Sequence, residues 1–126
     1  MAPRISRRGR AIVAAALVAT IALGLGAWRW QEWRAETRQL VFVIPPGTAA
    51  RLAAGEEQQV LPQTIELELG GQDTLVIRND DSAAAVIGPY KIDPGQRFVQ
   101  RYYNAGTYDM ICSLHAGARM RVVVKP

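Results

Sequence analysis

Residues 112–120 read CSLHAGARM and hold the only cysteine of the 126-residue chain, its only histidine and one of its three methionines, at the spacing C-x2-H-x4-M. Cys112 offers a thiolate, His115 an imidazole and Met120 a thioether. Thiolate and thioether are soft donors, and imidazole suits copper as well as zinc. Two imidazoles and a thiolate around copper, with a long, weak thioether on the axis, form the geometry of blue-copper electron-transfer sites. A lone cysteine forms no internal disulfide, so Cys112 is a buried, metal-bound or exposed thiol. A nucleophilic Cys112–His115 pair would also need an orienting group and oxyanion donors. Nothing marks them, and the chain is not read as an enzyme. Asp80, Asp81 and Asp93 lack the ligand series of a calcium loop and read as acids that satisfy turn backbone groups.

The elements that must position these residues follow from periodicity. In TYDMIC, residues 107–112, Tyr108, Met110 and Cys112 share one strand face, so Cys112 ends an inward row. Ser113 to Arg119 is a loop, and Met120 starts the next strand, RMRVVVK, with Val122 and Val124 on the same face. A strand–loop–strand hairpin brings the thiol, the imidazole and the thioether to one end of the domain. Upstream, TIELEL (64–69) alternates with Ile65, Leu67 and Leu69 on one face. TLVIRN (74–79) and RFVQRYY (97–103) read as further strands, and Ala83–Ile87 is weakly β. LVFVI (40–44) is stopped by Pro45-Pro46-Gly47, after which Thr48 is placed to cap a short helix that Gly55 ends. Asp93-Pro94-Gly95 and Asn104-Ala105-Gly106 are turns. Short strands between turn signals predict an antiparallel β-sandwich or barrel.

The first third differs. Residues 1–10 carry Arg4, Arg7, Arg8 and Arg10 and no acid, and residues 11–28 contain no charge. Trp28, Trp30 and Trp33 follow, at the position where tryptophan favours a membrane–water interface. The pattern predicts a basic cytoplasmic segment (1–10), a transmembrane signal anchor (11–30), a polar linker that continues the helix (31–39) and an extracytoplasmic domain (40–126) on a single-pass protein of the cell membrane. The alternative is a cleaved signal peptide cut near Gly24–Ala27. From residue 35 onward nine basic and ten acidic residues nearly cancel. The exported part carries no basic stripe of the kind nucleic acid requires.

GTYDMICSLHAGARM resembles the closing motif of the cupredoxin family, G-x-Y-x-x-x-C-x-x-H-x-x-x-x-M. IRNDDSAAAVIGPYKIDPGQ resembles the family's strand-end asparagine, following loop and Pro-Gly turn. The similarity runs from about Thr64 to Val124. It implies an all-β, Greek-key sandwich, copper as cofactor, and a redox or copper-donor or copper-acceptor protein as partner. Carried over, Cys112, His115 and Met120 are the metal ligands. The family's second histidine falls at Ala85, or at Ala84 or Val86, none of which can bind a metal through its side chain. Three readings remain. The site binds Cu(I) with three ligands; it binds Cu(II) with water, an anion or a partner's side chain in the fourth position; or the domain is a metal-free binding module, with Cys112 and Met120 as core residues.

Overall fold

Eighteen uncharged residues in succession (11–28) form the middle of α1, Arg7–Thr37, a helix of 31 residues with charged ends and none buried. It belongs to a computed structural model that describes residue 4 and residues 6–56, 59–115 and 117–126. The chain forms two compact units, residues 1–36 and 37–126. The helix is about 46 Å long at 1.5 Å per residue. It is long and apolar enough to cross a membrane, and a signal sequence meets the same description. Residues 31–37, the first part of the expected linker, are helical. Within this stretch the Arg34 guanidinium lies 3.8 Å from the centre of the Trp30 ring. Of the basic segment 1–10, residues 1–3 and 5 lie outside the described residues.

The second unit contains β1 (Gln39–Ile44), α2 (Thr48–Ala53), β2 (Thr64–Glu68), β3 (Thr74–Asn79), β4 (Ala85–Ile87), β5 (Tyr90–Ile92), β6 (Arg97–Arg101), β7 (Gly106–Ile111) and β8 (Arg119–Lys125). One three-stranded sheet has the order β1-β3-β6 and the other β2-β8-β7, with β4 and β5 as a separate hairpin. The inward residues are those that alternation predicts. Ile65 and Leu67 of β2, Leu75 and Ile77 of β3, and Val122 and Val124 of β8 are all buried in one core cluster. The expected β-sandwich behind a long apolar helix is present.

Four features differ from the sequence expectation. The sheets are mixed: β1 runs parallel to β3 and β2 parallel to β8. Each parallel pair joins strands separated by residues that build the opposite sheet, and local periodicity carries no record of such pairing. Tyr90–Ile92 is a strand that pairs antiparallel with β4, although Gly88-Pro89 reads only as a break. The turn at 104–106 does not close a hairpin. It crosses between sheets, since β6 pairs with β3 and β7 with β8. Thr48 does not cap α2. Gly47, at φ 83°, is the boundary residue, and the fully buried Thr48 donates its hydroxyl to the Pro45 carbonyl at 2.6 Å. The cap comes from Asp81, whose carboxylate accepts the N–H groups of Gly47 at 2.9 Å and Ala49 at 2.8 Å.

Candidate metal centre

The hairpin of β7 and β8 places Met110 opposite Met120 and Ile111 opposite Arg119. Cys112, the next residue, is fully buried and forms a bridge to Ile87 of β4. Around it the chain is tightly latched. Gly88 N–H donates to the Ile111 carbonyl at 2.6 Å and Ser113 N–H to the Val86 carbonyl at 3.0 Å. Ser113 Oγ accepts the Val86 N–H, also at 3.0 Å. β4 is thereby held against the strand that carries the thiol.

From Cys112 the chain turns tightly toward β8. Cys112 N–H donates to the Ala118 carbonyl at 3.0 Å, and Ala118 N–H to the His115 carbonyl at 2.9 Å. Ala118 takes φ 51°, a left-handed conformation that costs a residue with a side chain about 1–2 kcal/mol. Ala116 of this turn lies outside the described residues. Burial pushes the Cys112 thiol above its ordinary pKa, while the N–H groups of Leu114 and His115 directed at the sulfur pull it down. Desolvation is the larger effect, so the thiol is protonated at neutral pH in the metal-free chain.

His115 is half-buried, and its two ring nitrogens differ. Nε2 lies 2.8 Å from the Leu61 carbonyl oxygen. A carbonyl only accepts, so Nε2 carries the proton, and a neutral ring then presents a bare lone pair at Nδ1. Nδ1 is buried and has no hydrogen-bond partner among the described residues. An unpaired buried acceptor is costly, and a metal ion is one species that satisfies it. Met120 is 1% exposed and faces the core from β8. Buried soft sulfurs and an imidazole with a free Nδ1 fit copper chemically.

The loop after β3 is organised by Asn79, which is fully buried. Its amide donates to the carbonyls of Ala83 at 2.8 Å and Ile92 at 3.0 Å, and its oxygen accepts the Asp81 N–H at 3.0 Å. Of the three residues weighed for the missing histidine, Ala85 is buried at 2% exposure, Ala84 is exposed, and Val86 is 40% exposed. Ala85 therefore shares the inward face of β4 with Ile87, the bridge partner of Cys112. Among the described residues no group of three or more His, Cys, Asp or Glu side chains is assembled to hold a metal. The set expected here contains only two residues of those types. Surface grooves of about 430 and 320 Å³ include neither Cys112 nor His115.

The acids near this region are structural. Asp81 also accepts the Ser82 N–H at 2.8 Å, Asp80 pairs with Arg78 at 2.9 Å, and Asp93 with Lys91 at 3.2 Å. Sequence reasoning missed Leu61. No local signal ties it to a histidine 54 positions later.

No protein-family model matches the chain, and no curated protein matches it. Solved structures similar to it include a purple cupredoxin from Nitrosopumilus maritimus, at 22% identity and TM-score 0.47, covering 68% of this chain and 98% of that one. The amicyanin of Paracoccus versutus is similar at 16% identity and TM-score 0.47, covering 69% and 81%. A Cu(I) form of an amicyanin variant is similar at 19% identity and TM-score 0.47, covering 69% and 82%.

Proposed function

We propose that the domain is a membrane-tethered, extracytoplasmic copper-binding module of cupredoxin type, in which Cys112, His115 and Met120 hold copper and Cu(I) is favoured over Cu(II). The observation that carries this reading is the buried Nδ1 of His115, without a hydrogen-bond partner among the described residues, in the turn that begins at Cys112. Thiolate and thioether are soft donors, whereas the second imidazole that would help hold Cu(II) is replaced by the buried methyl of Ala85. Bound there, copper would supply one-electron chemistry or serve as cargo exchanged with a copper-donor or copper-acceptor protein. The protein residues supply the thiolate, the oriented imidazole and a water-poor enclosure.

Titration of the full chain in detergent against a chromophoric Cu(I) chelator tests the reading. One Cu(I) per chain is expected, with affinity reduced at least 100-fold by Cys112→Ser. With Cu(II) alone no intense blue band should appear. Affinity indifferent to Cys112→Ser would move the assignment to a metal-free binding module. That second reading is favoured by the complete packing of Cys112, Met120 and Ala85 into the core cluster.

A further inference from the structure

We infer that the Leu61 carbonyl is a positioning group for the copper ligand His115, setting both the tautomer and the plane of the imidazole before metal arrives. The inference rests on the copper reading and adds to it a contact between distant parts of the chain. The bond from Nε2 to the Leu61 oxygen measures 2.8 Å, and only a protonated Nε2 can make it. The same bond leaves Nδ1 bare and buried, with no hydrogen-bond partner among the described residues. A metal-binding histidine commonly donates its second ring N–H to a carbonyl or carboxylate, which fixes the ring and raises its basicity.

The acceptor is rigid because three constraints hold it. The Leu61 side chain is 2% exposed and belongs to the core cluster. Pro62 follows, and the residue before a proline is confined to extended conformations, which restricts the direction of its carbonyl. Two residues on, the Gln63 carbonyl accepts the Arg121 N–H of β8 at 2.9 Å. The loop between α2 and β2 is thus tied to the core on one side and to the Met120 strand on the other, with its carbonyl presented to the imidazole. Exposure of one ring edge to water would leave both tautomers accessible. This contact leaves one.

The test uses the full chain in detergent, labelled with 15N-histidine. There is one histidine, so a single pair of ring nitrogens appears in the NMR spectrum. In metal-free wild type, Nε2 should carry a slowly exchanging proton and Nδ1 none. Leu61→Ala removes the anchor. It should speed exchange of that proton, mix the tautomers and weaken Cu(I) binding by about 10–100-fold. Leu61→Met, which keeps a buried apolar anchor, should restore both. Leu67→Ala is the structural control, because Leu67 is equally buried at 2% exposure and makes no bond to His115. It should lower stability and leave the ring spectrum unchanged. If Leu61→Ala does not fold, Leu61→Val is read in the same way. A proton on Nδ1 in wild type, or identical ring spectra for Leu61→Ala and Leu67→Ala, would overturn the positioning role. A wild-type chain that shows the Nε2 proton but binds no Cu(I) overturns the copper reading instead.

Discussion

Met120 and Ala85 face the same interior with opposite consequences. Met120, at 1% exposure, fills core volume in the metal-free chain. Met120→Ala should therefore destabilise the metal-free chain by about 2–4 kcal/mol, the range for buried methionine truncations, as read by urea denaturation. A cost near zero would mean the thioether stands in an open cavity. Ala85 is buried at 2% exposure and belongs to the core cluster. Ala85→His introduces an imidazole on the inward face of β4, at the position the sequence resemblance assigns to a second histidine. The larger side chain should cost about 1–3 kcal/mol in the metal-free state through overpacking. With Cu(II) it should generate the intense visible band that wild type lacks. Ala84→His, on the exposed face, is the matched control and should remain colourless.

At the scale of elements, the domain is fastened by polar side chains that reach between segments. Asp81 joins the loop after β3 to the start of α2, while Asp73, 2% exposed, pairs with Arg38 and lies 3.8 Å from Arg101. The N–H of Ala49, ahead of burial and the other N–H donors, holds the Asp81 carboxyl below its ordinary pKa. The Arg38 hydrogen bond does the same for Asp73. Folding lowers both values, so the native state binds fewer protons than the unfolded chain. This stabilisation is complete above the unfolded carboxylate pKa of about 3.9 and drains as pH falls through the depressed folded values. Thermal unfolding followed from pH 7 to pH 2 should show a plateau and then a decline below about pH 4. Asp81→Ala should remove about 1–2 kcal/mol at neutral pH, the usual worth of a helix cap, and flatten part of that decline. An unchanged acid limb in Asp81→Ala would assign the loss to other carboxylates.

At the scale of the whole molecule, the chain joins a helix with an uncharged run at residues 11–28 to a domain with its own core. The helix has no buried residue and is long and apolar enough to cross a membrane. On the proposed reading the helix is a retained anchor, and the arginines of its first turns and the tryptophans near its far end would orient it with the domain outside. A protease applied to intact cells should therefore remove a tag fused after Pro126, and the chain should stay with the membrane fraction after a high-salt wash. A soluble mature chain beginning near Ala27 would show a cleaved signal peptide in place of an anchor.

The sequence by itself determined the features that depend on neighbours a few residues apart. Alternation located the β2, β3, β7 and β8 regions, and the inward row of Tyr108, Met110 and Cys112 is partly or wholly buried as read. An uncharged run located the helix, and residue types named the thiol, imidazole and thioether on which the copper proposal rests. Tertiary structure decided what depends on distant segments meeting. It made the sheets mixed, turned Ala85 inward while Ala84 and Val86 faced out, and replaced Thr48 with Asp81 as the cap of α2. It also brought the Leu61 carbonyl to His115 across 54 positions. The physical reason is common to these cases. A strand's period fixes which side chains share a face, but the choice of face, neighbour and hydrogen-bond partner is made when separate segments bury their apolar sides together.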